Sequence, residues 1–357
     1  MIDLEQTCDA VFKTGVNGVV SVKTIADRKV EFVLFENGKQ LALVKSAMGY
    51  PAYYPVHDVK IEKPLKAVLM DLDGTTVHSE HFWIWIIEKT VSSLLGDPKF
   101  KLEACDEPHV SGHSVSEHLQ YCVRKYCPEK TVEEARTWYF KHTNFEMNEI
   151  LEGRGKKGAF TPSPGIKEFL YELKDLGVKI GLVTSGLYEK AWPEILDAFR
   201  VLGMGDPNEF YDAVITAGHA IRKGEPGTLG ELSPKPHPWL YAETARVGLG
   251  IPFEERHQVV GIEDSGAGVV SILLAGFAPI GIGGGNIIDS GTQSLCTHYE
   301  ENFEAVLKRL CCPRRWMEPD VVGRAFRIRR RVKRLRIGMR SYVAPDSDPS
   351  RRIFPFR

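Results

Sequence analysis

Asp71 and Asp73 stand one residue apart at the end of the segment Lys66-Ala-Val-Leu-Met-Asp71-Leu-Asp73-Gly74-Thr75. Ala67 to Met70 have the length and composition of a strand buried on both faces, and Gly74 lets the chain turn sharply after it. Alternation along the strand puts both carboxylates on one side, with Leu72 pointing away. They can then converge above the carboxyl end of a parallel sheet, where open α/β folds hold their ligands. Two anions held together repel, and a divalent cation relieves them. Magnesium, which takes carboxylates together with water and phosphate oxygens, suits an all-oxygen site. Taken alone, Asp-x-Asp-Gly is equally well a polar turn after a strand.

Three later segments add what phosphate chemistry needs, in an order that matters. Lys179-Ile-Gly-Leu-Val183-Thr184-Ser185-Gly186 is again an apolar run, ending in hydroxyls that can donate to an anion. Lys235-Pro236 places a cation just before a segment, Trp239 to Val247, that reads as a helix. His257-Gln-Val-Val-Gly261-Ile262-Glu263-Asp264-Ser265-Gly266 is a third apolar run that stops at paired acids. Each has a plain reading as a cap, a solvated surface lysine or a helix start. Together they offer a nucleophile, hydroxyls, a cation and metal ligands.

These four segments resemble the motifs of the haloacid dehalogenase superfamily, within its beta-phosphoglucomutase and phosphatase-like subgroup with an α-helical cap. The resemblance runs over about 250 residues, from near Pro64 to near Leu310. It implies an α/β fold, a Rossmann-like parallel-sheet core with an inserted helical cap, acting as a phosphoric monoester hydrolase. By that resemblance Asp71 is the nucleophile that forms an aspartyl-phosphate, and Asp73 is the general acid and base. Thr184 and Ser185 carry the second motif's hydroxyls, and Thr184 and Lys235 hold the phosphoryl oxygens. Mg2+ is bound by Asp264, the carboxylate of Asp71 and the backbone carbonyl of Asp73, with Glu263 in direct or indirect support. Physical chemistry agrees: a carboxylate attacks a phosphate ester only where the phosphoryl charge is offset and the attack is held in line. The leaving alkoxide needs a proton, and Asp73 is the nearest donor. Dehalogenating members lack this second Asp, so its presence argues for phosphoryl transfer.

Elements that must position these groups are legible around them. Glu80 to Gly96, Ser114 to Tyr126 and Thr131 to Gly153 read as helices, the last opened by a capping box of Thr131 and Glu134. They fall within an insertion at residues 78–163 that resembles the family's cap, while 63–77 and 164–310 form the core. Gly112-His113-Ser114-Val115-Ser116 resembles the cap's substrate-specificity loop, so His81, Gly112, His113 and Ser114 are candidate substrate contacts. Beta-phosphoglucomutases carry Arg where Val115 stands, His where Trp83 stands, and Lys-Asn where Leu187-Tyr188 follows the second motif. These departures favour a phosphatase acting on a small phosphorylated metabolite over a sugar phosphate mutase, which stays the alternative.

Residues 1–62 precede the core. Val30 to Phe35 and Gln40 to Val44 flank Asn37-Gly38, a strong hairpin signal, and Gly18 to Ile25 offers a third strand. A small antiparallel β region that docks on the core or pairs protomers into an oligomer is expected there. After Leu310 the composition changes sharply. Residues 311–357 hold 13 Arg and one Lys against four acids, a net +10 set against −11 for the rest of the chain. Disorder with nonspecific attraction is the plain expectation for this tail, and RNA, anionic lipid or another acidic partner the alternative. A nucleic-acid or partner-binding protein acting through the tail is therefore the competing function of another class. The seven cysteines form no metal or disulfide pattern, and neither a signal peptide nor a membrane span is evident, so a cytoplasmic enzyme is expected.

Overall fold

The computed structural model describes residues 4–7, 10–45, 51–106, 110, 115–218 and 232–310. The chain divides into two units, residues 1–310 and 311–357. The Arg-rich tail, for which nucleic-acid binding is the alternative expectation, and the candidate cap residues Gly112, His113 and Ser114 lie outside the described residues.

The first unit begins with a five-stranded antiparallel sheet of β1 (Glu5–Gln6), β2 (Val19–Thr24), β3 (Val30–Phe35), β4 (Gln40–Val44) and β5 (Ala52–Val56), paired in sequence order. The Asn37-Gly38 turn joins β3 to β4: Gly38 takes φ +78°, and the Asn37 side chain accepts from Lys39 N at 3.0 Å. One face of this sheet buries Ile25, Val30, Phe32, Ala42 and Val44 against Val270, Leu273 and Leu274 of the helix Gly266–Leu274. The N-terminal β region thus docks on the core.

A second sheet carries the candidate chemistry. Its strands are β6 (Ala67–Asp71), β9 (Lys179–Val183), β10 (Ala213–Ile215), β11 (Val259–Glu263), β12 (Ala278–Ile282) and β13 (His298–Glu300). They are all parallel, in the order β10-β9-β6-β11-β12-β13. β6 lies at the centre, and Ala67 through Met70 are fully buried, as an apolar run covered on both faces must be. β13 extends the sheet by one short strand beyond β12. Leu69 and Val183 pack with Leu240, Tyr241 and Ile272 on one face of the sheet.

Between β6 and β9 the chain leaves the sheet, and the described residues of this excursion include the helices Glu80–Leu95, Val115–Tyr126 and Val132–Leu151 before the helix Ile166–Asp175 leads back to β9. Outgoing and returning strands, β7 (Val77–His78) and β8 (Thr161–Pro162), pair antiparallel. The first helix ends at Gly96 in the left-handed region (φ 68°), and the third opens with the expected Thr131 and Glu134 capping box. Arg200, on the helix Tyr188–Leu202, donates to the carbonyls of Ile150 and Leu151 at the end of that third helix. Among the described residues, no helix is long and apolar enough to cross a membrane.

Candidate active site

Parallel register brings the ends of β6, β9 and β11 together, because Asp71 lies opposite Val183 and Met70 opposite Ile262. Asp71, Glu263 and Asp264 therefore emerge side by side, each at most 8% exposed. One oxygen from each lies within 4.8 Å of the others. Lys235 reaches in from the loop before the helix Trp239–Glu243; its ammonium pairs with Asp71 Oδ1 and, at 2.5 Å, with Glu263 Oε1. One cation faces three carboxylates. Burial, followed by the Glu263 charge, holds the Asp71 carboxyl well above the usual carboxylate range, and Lys235 only partly offsets this. The same two causes push Asp264 to about 7, against a hydrogen bond from Thr75 Oγ1 at 3.0 Å. Burial opposes the charge on Lys235, but its two carboxylate partners outweigh burial and raise its pKa.

Glu263 is fully committed to protein donors. Its Oε1 accepts from Lys235 and, at 2.9 Å, from Tyr241 OH, while Oε2 accepts from Ser265 N at 3.1 Å and Ser265 Oγ at 2.9 Å. Ser265 also accepts from Gly268 N at 3.1 Å as the N-cap of the next helix. Gly74 is needed twice over: it takes φ +83°, and a Cβ there would lie 2.3 Å from Asp264 Oδ2.

The carboxylates of Asp71 and Asp73 have different partners. Asp73 lies outside the three-acid cluster and accepts from Ser79 Oγ at 2.8 Å and from Thr184 Oγ1 at 3.4 Å. Ser79 precedes the first inserted helix, yet its hydroxyl goes to Asp73 and not to the helix N-terminus. Thr184 is buried and also accepts from Gly186 N at 2.9 Å. Ser185 is exposed, with its hydroxyl accepting from Lys235 N at 3.3 Å. Thr184, Ser185 and Lys235 thus meet at one end of the sheet. His81 is exposed on the first inserted helix.

One residue beside Asp73 escaped the sequence reading. Glu194, 1% exposed on the helix Tyr188–Leu202, places its carboxyl within the electrostatic reach of Asp73. Burial, then the Asp73 charge, holds its carboxyl well above the usual range, with Lys190 opposing. A signal was present: Ala191, Ile195, Ala198 and Phe199 form the buried face of that helix, and Glu194 falls on it. Lys190 sits 3.6 Å over the Trp83 ring, so the position where mutases carry His is an apolar ring against a core lysine.

A parallel sheet with acids clustered at the carboxyl end of its central strands and an inserted helical segment defines the class: an α/β enzyme of hydrolase type. Residues 65–276 match the family described as haloacid dehalogenase-like hydrolase, and the chain belongs to that family. It is 29% identical over 233 residues to the beta-phosphoglucomutase of Bacillus subtilis (strain 168), an alignment spanning 62% of this chain and 84% of that protein. The crystal structure of a family IA, variant 3 hydrolase from Entamoeba histolytica shares the fold at TM-score 0.50 and 17% identity, covering 69% of this chain and 97% of that one. A beta-phosphoglucomutase from Clostridium difficile aligns at TM-score 0.46 and 19% identity, covering 69% and 97% respectively.

Proposed function

We propose that the chain is a magnesium-dependent phosphatase that hydrolyses a small phosphorylated metabolite through an aspartyl-phosphate at Asp71. The observation that carries this reading is the charge imbalance of the cluster: among the described residues, three carboxylates, all but closed to solvent, face a single lysine. Such a set calls for a hard divalent cation. The donors fit magnesium, being oxygens only. Asp71, Asp264 and the carbonyl of Asp73 would hold it, while Glu263, its oxygens taken by four protein donors, supports the site through Lys235 and Ser265. Bound there, the ion supplies positive charge against the phosphoryl oxygens.

In this reading Asp71 attacks phosphorus, forming the new P–O bond as the bond to the leaving oxygen breaks. Lys235 and Thr184 hold the phosphoryl oxygens, with Ser185 steadying the lysine loop. Asp73 gives a proton to the leaving alkoxide and then takes one from the water that attacks the phospho-enzyme, restoring Asp71 and releasing phosphate. Hydrogen bonds from Ser79 and Thr184 support that role by fixing the Asp73 carboxyl. Residues 63–77 and 164–310 are the catalytic core and 78–163 the cap, whose contacts with Lys190 and Arg200 favour a closed, water-excluding cleft. The ring of Trp83 in place of a mutase histidine favours hydrolysis over transfer within a sugar phosphate. A cytoplasmic location belongs to the same reading.

Phosphate release from a panel of sugar and nucleotide monophosphates, with and without magnesium, tests the assignment. We expect release that requires magnesium and falls at least about 10^3-fold in Asp71→Asn. Conversion of a sugar phosphate to its isomer without net phosphate would establish the mutase instead. Activity unaffected by Asp71→Asn would remove the nucleophile from the scheme.

A further inference from the structure

The family match begins at residue 65, so the N-terminal sheet lies wholly outside it. One residue of that sheet nevertheless reaches the loop of the candidate catalytic lysine. Tyr54, on β5, places its hydroxyl 2.8 Å from His237 Nδ1 and its ring edge-on to the imidazole, with centroids 5.8 Å apart. The same ring meets Trp239, at 6.1 Å. Tyr54 is itself seated against the hydrophobic cluster that joins the sheet to the helix Gly266–Leu274.

His237 is 1% exposed and follows Lys235 with only Pro236 between them. Among the described residues, four groups of this short segment are held by contacts from elsewhere in the chain. The Lys235 ammonium is held by Asp71 and Glu263, and its backbone N–H donates to Ser185 Oγ. The His237 carbonyl accepts from Ser271 Oγ at 2.6 Å, and the His237 ring is held by Tyr54. The first three come from the core; the fourth comes from the added sheet. A lysine that must balance two carboxylates and hold phosphoryl oxygens depends on where its backbone is held.

We infer that Tyr54 is a positioning residue for Lys235, acting through His237, and that the N-terminal sheet serves the reaction by fixing that loop. Burial raises the phenol's pKa, so the hydroxyl keeps its proton at neutral pH and remains a donor. The role in turnover rests on the phosphatase reading above; the positioning itself does not.

Tyr54→Phe in the full chain keeps the ring packing and removes the hydrogen bond. Two measurements are made on it. The first is steady-state phosphate release: kcat is expected to fall about 3–10-fold with KM unchanged, the loss of one well-placed hydrogen bond. The second is the rate at which acetic anhydride labels Lys235, read by peptide mass spectrometry with exposed Lys308 as internal reference. Lys235 labelling is expected to rise about threefold or more while Lys308 stays the same. Wild-type kcat together with wild-type Lys235 labelling would overturn the inference, even with a lowered melting temperature, since Tyr54 would then be structural only. If the wild type releases no phosphate from any substrate while Tyr54→Phe still unmasks Lys235, the positioning stands and the phosphatase reading falls.

Discussion

Replacing Lys235 with Met keeps the length of the side chain and removes its charge from a place where little water can compensate. Lys235, Asp71 and Glu263 have side chains 9%, 6% and 0% exposed, so the loss leaves buried carboxylates facing one another. Breaking a buried pair from one side costs about 3–5 kcal/mol, against about 0–1 kcal/mol for an exposed pair such as Lys308–Glu304. At about 2–4 °C per kcal/mol for a domain of this size, the melting temperature in EDTA at pH 7.5 should fall by about 6–20 °C. The pH dependence has a definite sign. Asp71 has a folded pKa above its reference of 3.8, so keeping it ionised costs progressively more stability as pH rises above that value. Without the ammonium the cost grows, so the gap between variant and wild type should widen from pH 4 to pH 7.5 and close in acid. Magnesium should rescue the variant more than the wild type, because it would replace the missing positive charge. Thermal and urea unfolding followed by circular dichroism, with EDTA or magnesium, reads all three effects. A variant within about 1 kcal/mol of wild type at pH 7.5 in EDTA would refute the claim that the ammonium neutralises the cluster.

Other perturbations address separate parts of the site. Because Asp264 carries its proton up to about pH 7, that proton should compete with magnesium. Affinity measured by isothermal titration should weaken as pH falls below 7, by up to about tenfold per unit, with proton release on binding; a flat profile from pH 6 to 8 would contradict it. Glu194→Gln should leave stability near pH 4.5 little changed and raise it increasingly above that pH. The wild-type carboxyl, beside Asp73, Ser79 and Lys190, must hold its proton against a rising unfolded-state preference to lose it; melting curves across pH 4.5–8 check this. Gly74→Ala should cost about 1–3 kcal/mol in chemical denaturation and weaken magnesium binding, since the new methyl group must displace the Asp264 carboxylate from a backbone already at positive φ.

What the sequence revealed follows the range of the interactions involved. Short-range signals translated directly: the Asn37-Gly38 turn, the Thr131 and Glu134 capping box, and the apolar strand before Asp71 are each set by neighbours along the chain. Lys235 was found by its place in a motif, although its pairing with Asp71 spans 164 residues. Glu194 and Tyr54 were missed for the same physical reason. Their partners are brought near only by the packing of a helix or a whole sheet, and an acid in a helix or a tyrosine in a strand looks ordinary on its own. Alternation suggested that Asp71 and Asp73 converge, but the turn at Gly74 gives them different partners, as a strand rule no longer holds once the strand has ended.

The paired strands β7 and β8 make the point of departure and the point of return of the helical segment adjacent. The segment is therefore tied to the catalytic sheet by a narrow stem, while the sheet's register is set without it. Under the proposed phosphatase reading, mutations that lengthen, shorten or recompose those helices would change which molecule is admitted and leave the reactive groups in place, so recognition and reactivity would evolve at different rates in the same polypeptide.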